Sequence, residues 1–129
     1  MFEDEIFDIL DLMLESTSLV ESRFIKIERT EDFISTSDGV TLLDAIAMRL
    51  QVIGESVKRI QKKDPLFFNS YADVEWNKIA RLRDLVSHHY EHVDYEIVYD
   101  ICNSHIPRLK DVIQKMTEEL SETGGSQEK

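Results

Sequence analysis

Apolar residues recur every three or four positions along most of this chain, the period of an amphipathic helix. Between residues 3 and 27 they are Ile6, Ile9, Leu10, Met13, Leu14, Leu19, Val20 and Phe24, with acids between them. That stripe is wider than a coiled-coil seam and predicts one long helix of a bundle. Residues 28–38 lose the period and predict a connection, with a short helical turn at Glu31-Asp32-Phe33-Ile34. Ser35-Thr36-Ser37-Asp38-Gly39 then offers side-chain oxygens to the free amides of the next helix. Residues 40–62 predict a second long helix, apolar around more than half its girth and so central to the bundle. Gly54 lies inside it, where glycine costs about 1 kcal/mol relative to alanine. Its presence predicts the close approach of another backbone.

Pro65 stops that helix, because its ring disfavours helical geometry at Asp64. Phe67, Phe68 and Tyr71 predict an aromatic plug over one end of the bundle, and Trp76 a core residue. A third helix is expected over about 74–89, capped by Asp73, with Ile79, Leu82, Leu85 and Val86 buried. Asp94 can cap a fourth helix, which Pro107 should kink or restart. Residues 121–129 predict a disordered polar tail behind a single domain over 1–120. The fold class expected is an all-α up-and-down bundle of four main helices, five if Pro107 splits the last. No stretch shows the sustained alternation of a strand.

A chain of 129 residues holds one core. Its apolar runs are short and charge-interrupted, so no membrane span is expected. The acidic start Met1-Phe2-Glu3-Asp4-Glu5 lacks the basic region of a signal peptide, and the single cysteine, Cys102, cannot form an internal disulfide. Both fit a cytoplasmic protein. The net charge of −11 opposes broad affinity for nucleic acid. The acidity is uneven, however. Residues 1–32 are strongly acidic, whereas 78–92 carry Lys78, Arg81, Arg83, His88, His89 and His92 against Asp84 and Glu91. A local positive site on an acidic body can bind a short stretch of RNA.

The candidate chemistry lies in that segment. Arg83-Asp84-Leu85-Val86-Ser87-His88-His89-Tyr90 gathers a guanidinium, a carboxylate, a hydroxyl, two imidazoles and a phenol. Were the helix to continue, Arg83, Ser87 and Tyr90 would share one side with His88 on its flank. Arg83 is a fixed cation for phosphoryl oxygens. His88 titrates near neutrality and can act as base toward a ribose 2′-hydroxyl or as acid toward a departing 5′-oxygen. Asp84 can orient either one, and Tyr90 can bind phosphate or stack on a base. One copy has only one histidine and one arginine placed for these two roles, His88 and Arg83, whereas cleavage needs an acid and a base, or one group used twice. Two copies with facing motifs would supply both, which predicts a homodimer. His88 and His92 are four apart, but the order is not His-Glu-x-x-His, so neither a metal nor a cofactor is expected. On residue types alone, the run also fits a structural helix end.

Arg83-x4-His88-x-Tyr90 resembles the Arg-x4-His-x-Tyr signature of HEPN domains, in their HepT-like toxin branch. The likeness extends to Val52-Ile53-Gly54-Glu55-Ser56-Val57-Lys58-Arg59-Ile60 upstream and to Val74-Glu75-Trp76-Asn77-Lys78-Ile79-Ala80 before the motif. It continues through His92-Val93-Asp94-Tyr95-Glu96-Ile97 and covers about residues 45–115 in family order. Position 84 is Asp84, where Asn is frequent in the family and Asp also occurs. The resemblance implies a metal-independent toxin ribonuclease with Arg83 and His88 catalytic and with Asp84, Ser87, Tyr90 and Glu55 in support. Glu55 would hold an arginine of the motif; read without the resemblance, it is equally a solvated helix carboxylate. The resemblance further implies a homodimer and a minimal nucleotidyltransferase antitoxin that attaches AMP to Tyr90. The added phosphate would set negative charge beside Arg83 and His88 and block the cleft.

Two other readings fit the same residues. The HEPN scaffold also serves as a non-catalytic binding companion of nucleotidyltransferases, and the acidity favours that role. In the third reading the chain is a structural helical dimer whose motif residues form ion pairs between subunits.

Overall fold

The computed structural model describes the backbone of residues 2–88 and 92–127, and the side chains of residues 4–86 and 93–121. Two long helices form its frame: α1, Phe2–Phe24, and α2, Ser37–Lys63. The expected periodicity is realised as burial. Ile6, Ile9, Leu10, Met13 and Val20 of α1 pack on Leu43, Ile46, Leu50, Ile53, Val57 and Ile60 of α2. The helices run antiparallel, since Lys63 at the end of α2 meets Glu5 at the start of α1, at 2.7 Å.

The connection between them is tightly held. Residues Thr30–Phe33 form a 3-10 turn, and Phe33 is fully buried. The Asp32 carboxylate accepts the Glu28 and Arg29 amides at 2.9 and 3.0 Å, which lowers its pKa below the usual aspartate value. Thr36 caps α2 by accepting the Gly39 amide at 2.9 Å, as the Ser/Thr-rich stretch predicts. A Cβ on Gly39 would overlap the Asp32 carbonyl.

Beyond Pro65 the aromatic cluster forms as expected. Phe68 stacks on Trp76 with ring centroids 4.1 Å apart, and Phe67 meets Phe68 edge-on. The Trp76 indole donates to the Tyr71 carbonyl at 2.8 Å, so the one polar atom of a buried ring is satisfied. Asp73 does not cap the next helix. Glu75 holds the cap position, and Asp73 faces Arg108 at 3.9 Å.

The continuous third helix is corrected by the structure. It is split into α3, Trp76–Ala80, and α4, Leu82–Val86. A two-strand antiparallel hairpin follows: β1, Ser87–His88, pairs with β2, His92–Val93. In a continuing helix the Val86 carbonyl would accept the amide of residue 90. It accepts the Asp94 amide instead, at 2.7 Å. A non-local bond thus ends the helix where the periodicity alone would let it run.

Asp94 then caps α5, Tyr95–Ser104, by accepting the Ile97 amide at 3.1 Å. Helix α6, Ile106–Gln127, restarts with Pro107 in its first turn, where a missing amide hydrogen costs nothing. It packs along α1, with Ile113 and Met116 buried and Lys110 on Glu21 at 2.9 Å. The helix runs past residue 120 to Gln127, and residues 128–129 of the expected tail lie outside the described residues. The architecture is all-α, with the short hairpin its one departure among the described residues. Among those residues no helix is long and apolar enough to cross a membrane.

Candidate active site

Gly54 sets the position of the motif-bearing segment. A Cβ there would lie 3.0 Å from the Ile79 carbonyl oxygen and 3.4 Å from that of Ala80. The backbone of α3 therefore rests directly on α2, as the mid-helix glycine predicts. Leu82 and Val86 anchor α4 in the core. With those two positions buried, Arg81, Arg83 and Asp84 fall on the exposed side.

Arg83 reaches a groove of about 280 Å³ between α1, α2 and α4. Leu12, Met48 and Val52 give it an apolar wall, while Glu55, Arg59 and Arg83 bring charge to it. Met48 is 61% exposed there, so the apolar girth of α2 exceeds what the core of one chain covers. Glu55 and Arg83 thus share one groove, although the ion pair that Glu55 makes is with Lys58, at 3.4 Å. Ser56, behind them, is buried and donates to the Val52 carbonyl at 2.8 Å. Arg59 stands in the Val52–Ile60 stretch with no role assigned from the sequence. Its only signal is a spacing of one helical turn from Glu55, which puts both residues on one face of α2.

Ser87 does not continue the helical face of Arg83, because α4 ends at Val86. Ser87 and His88 lie in the extended strand β1, with Ser87 opposite Val93 and His88 opposite His92. The sites proposed at the side chains of Ser87 and His88, and the whole of His89 and Tyr90, lie outside the described residues. The backbone therefore delivers Arg83 and Asp84 from a helix and His88 from the strand that follows. Among the described residues no three His, Cys, Asp or Glu side chains gather as a metal site. His105 is a surface residue beside Asp100, at 3.7 Å. Cys102 is buried on α5, and burial pushes its thiol up to about 12.

Comparison with known proteins adds a family to this geometry. The family model described as "Ribonuclease HepT-like" matches residues 13–116, which include the groove and the motif. The chain is 34% identical over 111 residues to "Gamma-glutamylcyclotransferase and putative RNase MJ0434" of Methanocaldococcus jannaschii, covering 86% of this chain and 47% of that one. About half of that relative therefore lies outside the match. "Putative RNase MJ0127" of the same organism is 30% identical over 119 residues, covering 89% of this chain and 86% of the relative. "Probable ribonuclease HepT" of Thermococcus cleftensis is 30% identical over 109 residues, covering 84% and 93%. No solved structure matches the chain.

Proposed function

The chain belongs to the HepT-like ribonuclease family, and we propose that it is a metal-independent endoribonuclease, the toxin of a toxin–antitoxin pair. The observation that carries this reading is the exposed Arg83 at a groove, five residues before His88 on a strand held by the β1–β2 pairing. In the proposed reaction His88 removes the proton of a ribose 2′-hydroxyl. The oxygen attacks the adjacent phosphorus, and the P–O5′ bond breaks. A second imidazole, from the other copy of the chain, protonates the leaving 5′-oxygen. The products are a 2′,3′-cyclic phosphate and a 5′-hydroxyl. Arg83 binds the phosphoryl oxygens as their charge grows. Asp84, Ser87 and Glu55 support the arginine and the histidine, and Tyr90 binds phosphate or a base.

The second copy is supported by the groove itself. Exposed Met48, with Leu12 and Val52, offers apolar surface beside the charged Arg83 and Glu55, the composition of a contact that also builds a site. Facing motifs across that contact supply the acid and the base that cleavage requires. The partner proposed for the pair is a minimal nucleotidyltransferase antitoxin, which adds AMP to Tyr90 and so sets phosphate charge beside Arg83. The cellular compartment proposed is the cytoplasm.

The net charge of −11 favours a second reading, a non-catalytic binding partner of a nucleotidyltransferase. One experiment separates the two. The protein is produced alone and with the nucleotidyltransferase encoded beside it, and growth, RNA ends and intact mass are recorded. The toxin reading expects arrest by the protein alone, cleavage that persists in EDTA, and cyclic-phosphate ends. His88→Ala abolishes all three, and Arg83→Ala slows cleavage by about 100-fold or more. With the partner, mass rises in AMP steps on Tyr90. A wild-type chain that binds the partner but never cleaves RNA belongs to the second reading. A monomer that still cleaves would sink the shared cleft.

A further inference from the structure

The cations of this acidic chain are concentrated in two short segments. Residues 58–63 hold Lys58, Arg59, Lys62 and Lys63, residues 78–83 hold Lys78, Arg81 and Arg83, and neither segment contains an acid. The fold brings the two together. Gly54 seats α3 on α2, and Gln61 donates to the Asn77 side chain at 3.0 Å, tying the end of α2 to the start of α3. Lys58 and Lys62 lie three residues before and one after Gln61 on α2, while Lys78 and Arg81 follow Asn77 by one and four residues on the other side of that bond. Arg59 joins the band to the active-site groove, which it lines together with Arg83.

Ion pairing leaves most of this charge uncommitted. Lys58 is paired with Glu55 at 3.4 Å and Lys63 with Glu5 at 2.7 Å. Arg59, Lys62, Lys78, Arg81 and Arg83 are exposed and form no ion pair among the described residues. Unpaired cations on neighbouring segments repel one another, which the acidic body elsewhere reduces but does not locally cancel. A polyanion that lies along them would relieve this repulsion and release counterions.

We propose that Arg59, Lys62, Lys78 and Arg81 form a track across α2, α3 and the break between α3 and α4 that binds the phosphate backbone of single-stranded RNA and leads it to Arg83. The inference rests on the ribonuclease reading and adds to it the path of the strand. These are positioning residues. They touch phosphates away from the scissile bond, so they act on binding and not on the chemical step. The surrounding acidity gives the track a second effect: strand lying elsewhere on the molecule is repelled, so productive binding is confined to this face.

The test uses the full-length chain carrying His88→Ala, so that RNA survives, and a fluorescent single-stranded oligoribonucleotide of about 12 nucleotides. Binding is followed by anisotropy over a range of salt concentrations. Lys62→Ala/Lys78→Ala/Arg81→Ala should weaken binding by about tenfold or more and reduce the slope of log affinity against log salt by about 2, since each lost phosphate contact removes about 0.7. Lys115→Ala, at an exposed position of α6, should change neither, and Lys62→Arg/Lys78→Arg should retain both. In the protein with His88 intact, the triple variant should raise KM and leave kcat in place. An unchanged affinity and slope would overturn the track, while cleavage lost with His88→Ala would leave the ribonuclease reading standing. Loss of self-association in the triple variant, seen by sedimentation with RNA affinity intact, would also overturn it and assign the band to contact between copies. If no variant and no wild-type chain binds RNA, the track fails outright, and the separate cleavage assay decides the ribonuclease reading.

Discussion

Cys102 shows how burial sets the chemistry of a single residue. It is 3% exposed on α5, and the loss of hydration pushes its thiol up to about 12 from an ordinary value of 9.0. The thiolate is the reactive form, so the folded protein should be inert to thiol reagents at pH 8. Labelling with a disulfide reagent should be at least about 100-fold slower in the native chain than in urea. Comparable rates would mean that α5 opens readily from the bundle. The pH dependence has a definite sign. The folded pKa is raised, so the stabilising contribution is complete below pH 9 and is lost as pH rises toward 12. Ser16 makes a different point. Its hydroxyl is buried on α1 with no hydrogen-bond partner among the described residues. A buried unpaired hydroxyl costs about 1–3 kcal/mol. Ser16→Ala should therefore hold or raise the melting temperature, and a clear fall would show that the hydroxyl is satisfied in solution.

At the scale of elements, the long helices were legible because their period is sustained. α1 and α2 repeat it for 23 and 27 residues, and both deviate from the expected bounds only at the ends. The caps at Thr36 and Asp94 were legible because their chemistry is local: each side chain accepts an amide three residues on. The break at Arg81 and the hairpin were not. Leu82, Leu85 and Val86 fit a helix, no glycine or proline marks the change, and the bond that ends α4 comes from Asp94. No window within residues 74–89 contains that partner. The site suffered accordingly. Arg83 and His88 were read from a motif on one helix, whereas the backbone of His88 lies in β1 beyond the end of α4. The sharing of one groove by Glu55 and Arg83 follows the tertiary seat of α3 at Gly54. Gly54→Ala tests that seat. Alanine would gain about 1 kcal/mol of helix propensity. Its Cβ, 3.0 Å from a backbone oxygen, would cost about 2 kcal/mol of overpacking. Urea unfolding should show a net loss of about 1 kcal/mol, and a gain in stability would mean that α3 shifts freely on α2.

At the scale of the molecule, charge is sorted by side. α1 carries Glu3, Asp4, Glu5, Asp8, Asp11, Glu15 and Glu21 against Arg23 alone, while the cations cluster on α2, α3 and α4. The sorting leaves exposed cations together on a chain that is acidic overall. Its cost appears in the few contacts that cross between the sides. Lys63 binds Glu5 between the far ends of α2 and α1, and this hydrogen bond and charge lower the Glu5 pKa below 4.5. Asp32 is lowered below 3.8 by the two amides of its own loop, which turns the chain from α1 toward α2. Both folded pKa values are depressed, so both groups stabilise the fold at neutral pH and lose that effect as pH falls through the folded values. The melting temperature should therefore be flat near neutrality and should drop once pH falls below about 4.5. Glu5→Gln keeps a hydrogen-bonding side chain but removes the charge. It should lower the melting temperature slightly at pH 7 and flatten the acid limb, with a smaller effect at high salt because both partners are partly exposed. Asp32→Asn acts on amides within one loop, with no cation bridging two helices, so its effect should persist in high salt. A Glu5→Gln profile parallel to wild type across the acid limb would show that the α1–α2 frame is held by apolar packing alone.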